Sequence, residues 1–268
     1  RGRGESLTVS LQGGSRAQNY QVGFTEPFLF DRNITGGVDV YKRSLNYIGQ
    51  FTQASTGGNL TMGFPVADFS RVFVNYSFEQ VKVLDLNPAY QSPEILNRNP
   101  FLADSLLIGQ GGTRTISKIV PSFSFNTVDN PIFPTTGRRL TASFDFAGPG
   151  GDTFFIKPTI EGVGFWRLTP RMSVGSRAQF QYIRPYGDTK QLPIFEKLIQ
   201  GGEYSIRGYD IRSVGPRDIN SGIVLGGNKS MLFNAEYILQ IAGPVRLVMF
   251  YDAGQVRERF LRDPALQP

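Results

Sequence analysis

Residues 230–253 read SMLFNAEYILQIAGPVRLVMFYDA. Met231, Phe233, Ala235, Tyr237, Leu239 and Ile241 alternate with Ser230, Asn234, Glu236 and Gln240. Beyond Ala242–Pro244, Val245, Leu247, Met249, Tyr251 and Ala253 resume the rhythm against Arg246 and Asp252. A period of two places successive side chains on opposite faces of a strand, so this stretch predicts an antiparallel hairpin with one dry and one wet face. Upstream the pattern recurs at 4–12, 18–27, 34–43, 59–66, 70–82, 114–126, 139–147, 153–168 and 172–182. The sum is eleven expected strands and no convincing long helix.

Two architectures bury such strands. A soluble sandwich turns the apolar face inward and favours strands of about five or six residues. A transmembrane barrel turns it outward, needs roughly 9–11 residues per strand, and alternates short turns with long loops. The strands here are long. Short connections are expected at 28–33, 67–69, 130–138, 169–171 and 242–244, and longer ones at 44–58, 83–113 and 184–228. Tyr76, Phe78, Trp166, Tyr182, Tyr237 and Tyr251 fall on the apolar face near strand ends, as an interface girdle requires. Arg71, Glu79, Arg139, Asp145, Lys157, Glu161, Arg167, Arg177, Glu236, Arg246 and Asp252 fall on the other. So many charges desolvated in a dry core would be prohibitive, whereas a water-filled lumen accommodates them. The expected fold is therefore all-β, an antiparallel transmembrane β-barrel. An odd strand count predicts that the barrel is incomplete, because single-chain bacterial barrels normally have an even number. An open, strongly curved sheet, or one completed by another chain, is the corresponding expectation.

Composition narrows the chemistry. The 268 residues contain no Cys and no His, which removes thiol nucleophiles and disulfides, the commonest general base and the commonest zinc ligand. The net charge of +6 is spread along the chain rather than gathered in a stripe, so no nucleic-acid partner is expected. No apolar run is long enough for a membrane helix. Asp145 and Glu161 read as ordinary lumen carboxylates rather than a catalytic pair. No catalytic residues, metal ligands or cofactor are expected, and the chain is not read as an enzyme.

The alternation fails longest at 184–228. The heart of this segment is LPIFEKLIQGGEYSIRGYDIRSVGPR (192–217), followed by Gly226-Gly227-Asn228. Together with FTEPFLFDRNITGGVDVY (24–41), NPIFPTTGRRL (130–140), Ala235-Glu236-Tyr237 and FYDAGQV (250–256), it resembles the BamA-type outer-membrane insertase and translocase barrels. That family's sixth extracellular loop folds into the lumen and carries a [Val/Ile]-Arg-Gly-[Phe/Tyr] motif. Ile206-Arg207-Gly208-Tyr209 matches it. The resemblance implies a barrel of about sixteen strands, of which this chain looks like strands three to thirteen. The family's terminal strands and its periplasmic POTRA domains would lie outside residues 1–268, a single partial barrel domain.

The resemblance implies assembly and insertion of β-barrel precursors at a bacterial outer membrane, or an organelle membrane of bacterial descent. Its implied partners are the lipid bilayer, unfolded precursors, and accessory proteins reached through POTRA domains. A two-partner-secretion-type transporter and a plain porin are the alternatives. It further implies that Arg207 pins the loop to the inner wall. Strand parity supplies Glu236 and Asp252 as partners. Gly208 permits close backbone approach or positive φ, and Tyr209 is expected as a flat amphipathic anchor. Gly201, Gly202, Gly226 and Gly227 are read as turn glycines.

Overall fold

The computed structural model describes residues 4–108, 112–242 and 245–258. Residues 1–3, 109–111, 243–244 and 259–268 lie outside the described residues. Eleven long strands follow one another as a meander: β1 Ser6–Gln12, β2 Ala17–Glu26, β3 Thr35–Tyr47, β4 Phe51–Ala67, β5 Ser70–Leu84, β6 Thr113–Asn126, β7 Gly137–Ala147, β8 Phe155–Thr169, β9 Met172–Tyr182, β11 Lys229–Ala242 and β12 Val245–Arg257. A two-residue β10, Arg184–Pro185, pairs with β8 off the main path. Every neighbour is antiparallel, and the sheet runs from β1 to β12 without closing. An open, eleven-strand path is what the alternation predicts.

One expectation is corrected. Residues 44–58 are not a loose connection. β3 and β4 pair without interruption from Thr35↔Gly63 to Tyr47↔Phe51, leaving only 48–50 as the turn. Gly, Ser, Thr and Gln occupy both faces there, so no hydrophobic period marks the strands, although the backbone ladder is complete. The long connections are thus 85–112 and 183–228, and both emerge from one end of the wall, here called the loop end. The short connections after β2, β4, β6, β8 and β11 define the turn end.

The two faces differ as strand parity demands. Leu7, Val9, Leu11, Val40, Leu60, Met62, Ile160, Trp166, Leu247 and Met249 project outward and stay 44–75% exposed. A contiguous apolar surface of this extent is not left to water by soluble proteins; it is the lipid-facing wall of a barrel. Charges on the inner face pair with one another: Arg177 Nη2 lies 2.7 Å from Glu161, Arg139 Nη2 3.4 Å from Glu161, and Lys118 Nζ 3.6 Å from Asp145.

The packed core is not in the wall. It lies at the loop end, where 85–108 and 183–228 cover the concavity. One apolar cluster joins Val81, Ile116, Phe155 and Val256 of the strands to Ile183, Leu192 and Leu198 of the long loop. The other joins Phe51 to Tyr90, Ile95, Leu102, Leu106, Ile194 and Leu225. Two short helices, α1 Pro93–Arg98 and α2 Phe101–Ser105, carry part of it. Pro93 opens α1, and Ser92 Oγ accepts from the Ile95 N–H, so proline geometry and a side-chain cap start the helix.

Candidate functional site

The long loop leaves β9 at the loop end, turns into the concavity and returns to β11. It is built around tight turns with positive φ: +107° at Gly201, +100° at Gly202, +86° at Gly208 and +72° at Gly226. A Cβ on Gly201 would sit 2.3 Å from the Asp210 carbonyl oxygen, a clash that only glycine avoids. Gly227 has ordinary φ but lies against the β12 backbone: a Cβ there would be 2.4 Å from the Arg257 carbonyl oxygen.

These turns bring Arg207 to the inner wall. Its Nε and Nη2 donate to the two Asp252 carboxylate oxygens at 2.7 and 2.6 Å, a bidentate pair. Its Nη1 donates to Glu236 Oε1 at 2.6 Å, and its backbone N–H donates to Asp252 Oδ2 at 3.0 Å. Asn234 Nδ2 completes the network by donating to Asp252 Oδ1 and to the Ser205 carbonyl, both at 2.8 Å. The Asp252 side chain is 3% exposed and that of Glu236 33%, so Asp252 is the buried partner. The hydrogen bonds to Asp252 push the Arg207 guanidinium further above its already high range, against the opposing effect of burial. It is a permanent cation.

Arg207, Glu236 and Asp252 are therefore one cluster, with Ile206 packed over Gly254 on β12. Tyr209 is different from expectation. The residue is 59% exposed, and its backbone carbonyl accepts from the Gly202 N–H at 3.0 Å. The ring that meets the guanidinium is Phe250, with the guanidinium carbon 3.7 Å from the ring centroid. Phe250 pairs with Glu236 across β11 and β12 and so faces the concavity. Its parity with Asp252 was the available signal, masked by its being apolar on a polar face.

Sequence reasoning missed four further anchors. Lys157 Nζ on β8 reaches Glu196 at 3.2 Å. Burial raises the Glu196 carboxyl pKa, but Lys157 and Lys118 outweigh it and hold the group below its ordinary value. Arg212, at φ +57°, places its guanidinium 4.4 Å from the Tyr47 ring centroid at the β3–β4 end. Asp218 joins the two loops: it accepts from Arg98 Nε and Nη2 at 3.3 and 3.2 Å, and from Asn99 Nδ2 at 2.9 Å. Burial works against that carboxylate, yet hydrogen bonds from Arg98, Ser221 and Asn99 keep it well below the usual range. Lastly, Gln200 Nε2 donates to Ser230 Oγ at 2.7 Å and to the Met231 carbonyl at 2.9 Å. Below the loop tip, Glu161, Phe165, Arg177, Tyr204, Arg207 and Glu236 line a cavity of about 340 Å³. No cluster of three metal-ligating side chains occurs among the described residues.

An outward-apolar meander with a loop pinned inside its polar concavity defines the class of outer-membrane β-barrels that carry a lumen-inserted loop. The chain belongs to the Omp85 superfamily, whose domain matches residues 1–265. It is 28% identical over 257 residues to the outer membrane protein assembly factor BamA of Nitratidesulfovibrio vulgaris, covering 94% of this chain and 31% of that protein. The BamA of Neisseria meningitidis serogroup B is 26% identical over 271 residues, with 95% and 34% covered. The sorting and assembly machinery component 50 homolog of Bos taurus is 27% identical over 233 residues, with 84% and 45% covered. The chain thus spans about a third of the length of the bacterial relatives. Among solved structures, BamA from Haemophilus ducreyi lacking POTRA domains 1–3 superposes with a TM-score of 0.80 at 19% identity, covering 96% of this chain and 53% of that one. CdiB from Acinetobacter baumannii fits less well, with a TM-score of 0.54 at 12% identity over 91% of this chain and 41% of that one.

Proposed function

We propose that this chain is a large part of the barrel of an outer-membrane β-barrel assembly factor, and that Arg207, Glu236 and Asp252 latch its long loop inside the lumen. Residues 1–268 form a single partial barrel domain of a longer protein. The whole protein sits in an outer membrane, of a bacterium or of an organelle of bacterial descent. It receives unfolded β-barrel precursors, works with accessory proteins through POTRA domains, and needs no cofactor. The work is binding rather than bond-making: a rigid, lipid-exposed wall lowers the barrier for another chain's strands to enter the bilayer.

The observation that carries this reading is the fourfold grip of Arg207 on β12 and β11. A plain porin needs an open passage, whereas here the concavity holds a loop tied to β8, β9, β11 and β12. A two-partner-secretion-type transporter is the second reading; the weaker fit to CdiB ranks it lower. The test is the full-length protein in phosphatidylcholine vesicles, offered a urea-unfolded barrel precursor. Acquisition of protease protection by the precursor should be faster than in empty vesicles, and Arg207→Ala should slow it. Equal rates with and without the protein would refute assembly activity. A large, steady conductance indifferent to Arg207→Ala would favour the porin.

A further inference from the structure

The outward face of the wall is not uniformly apolar. Among the described residues, charged side chains occupy outward strand positions only at its two ends, and the ends differ. At the turn end the register places Glu26 and Arg138 outward. At the loop end it places Lys42, Lys82, Lys229 and Arg257 outward, with Arg184 of β10 beside Ile156. Among the described residues, no carboxylate takes an outward strand position at the loop end: Asp39, Glu79, Glu236 and Asp252 all have the inward parity.

The best-formed part of this rim lies on β2–β4. Lys42 stands beside Tyr20 in register, directly above the apolar rows of Val22, Val40 and Leu60. Gln18, Tyr20, Lys42, Ser44, Ala54 and Thr56 line a cleft of about 220 Å³ there, together with Arg43, whose guanidinium turns inward to Gln21. The cleft thus offers one ammonium, two hydroxyls, an amide and a phenol, over a floor of Ala54. Lys82 lies on β5 next to Ala54, two strands across and two residues along from Lys42, about 12 Å away, so each lysine serves its own anion. Neither pairs with a carboxylate among the described residues.

We propose that the cleft at Lys42, with Lys82 beside it, binds the phosphate of lipid headgroups in the leaflet at the loop end. The inference rests on the reading of the outer face as a membrane-spanning wall. Acyl chains cover the apolar rows below, so the layer that meets Lys42 is the headgroup layer. A phosphate monoester or diester there finds a cation, donors from Ser44, Thr56 and Gln18, and no competing carboxylate. Tyr20 sits in register with Lys42 at the boundary above the apolar rows, the depth at which interfacial tyrosines concentrate. The excess of outward Lys and Arg at the loop end, with no outward strand carboxylate among the described residues there, then also fixes which end meets the phosphate-rich leaflet.

The experiment uses the full-length protein in detergent, with phosphatidic acid as the probe and phosphatidylcholine and inorganic phosphate as comparisons, and bound lipid read by native mass spectrometry. A basic side chain near a lipid surface contributes about fivefold to anionic-lipid binding, so Lys42→Gln should weaken phosphatidic acid retention about fivefold and Lys42→Gln/Lys82→Gln about twenty-five-fold. Phosphatidylcholine, whose singly charged diester is offset by its choline cation, should weaken by less than phosphatidic acid, and Lys42→Arg/Lys82→Arg should retain phosphatidic acid. Unchanged retention in the double glutamine variant, equal loss in the arginine variant, or full displacement by inorganic phosphate at the lipid's concentration would overturn the proposal. Quenching of Trp166 by brominated acyl chains, with Trp166→Phe as the blank, tests the membrane reading separately: no quenching refutes the wall, while quenching with lysine-independent retention refutes only the rim.

Discussion

Replacing Arg207 with alanine removes every side-chain hydrogen bond that the guanidinium makes and leaves the Asp252 carboxylate, 3% exposed, with Asn234 and the backbone N–H of residue 207 as donors. Breaking a buried ion pair from one side costs about 3–5 kcal/mol. Two features reduce that figure here. Asn234 remains, and the Arg207 side chain is 24% exposed, so water enters the space it vacates. About 2–3 kcal/mol remains, which raises the population of the detached loop roughly 30- to 150-fold. Arg207→Lys restores the charge but neither the fork on Asp252 nor the planar stacking on Phe250, and should recover about half. Glu236→Gln keeps an acceptor oxygen but removes the negative charge of a partner one-third exposed, about 1 kcal/mol. The assay is amide hydrogen exchange over residues 200–214 of the folded full-length protein. Exchange within twofold of wild type in Arg207→Ala would refute the latch, as would additive effects of Arg207→Ala and Asp252→Asn in a double-mutant cycle.

Asp218 makes the junction between the two loops acid-sensitive. Its folded carboxyl lies below the ordinary value near 3.8, so its stabilisation is complete above that value and is lost as pH falls through the folded one. Proteolysis within 85–112 should therefore rise below about pH 4, and Asp218→Asn should show the same loosening already at pH 7. Gly227→Ala drives a Cβ into the β12 backbone beside the reciprocal Leu198–Gly227 hydrogen bonds, both 2.9 Å; it should cost about 2–4 kcal/mol, read as accelerated cleavage in 184–228. Glu196→Gln strands Lys157 and should destabilise the loop by about 2 kcal/mol, whereas Lys157→Met/Glu196→Gln should be milder than Glu196→Gln alone by exchange over 192–200.

The wall was legible because lipid and lumen impose opposite chemistry on alternate residues; β7 and β9 obey it along nearly their whole length, and β8, β11 and β12 over most of theirs. It became illegible where strands rise past the apolar band. At Lys42–Tyr47 and Thr52–Gly58 neither face meets acyl chains, so both are polar and the period vanishes while the ladder persists. The same transition that hid these strands creates the basic rim. Glu236 and Asp252 could be read as loop partners from parity, since two lumen carboxylates directly follow a loop carrying an arginine. Phe250 could not, because an aromatic facing inward counts as an error in the pattern. Nor could Arg98 and Asp218, which meet across 120 residues between two loops with no period at all.

The Arg207 cluster also has a consequence for the order in which the molecule assembles. Its acceptors lie 29 and 45 residues downstream of the arginine, on the last two strands described. The loop is made before the wall that holds it, so until β12 has paired with β11 the guanidinium lacks its buried partner. Closing so long a segment before its reward is available makes docking a late event. Loop capture then reports that β11 and β12 are in register, since a slip of one residue would turn Asp252 to the lipid side and leave Arg207 with nothing to grip.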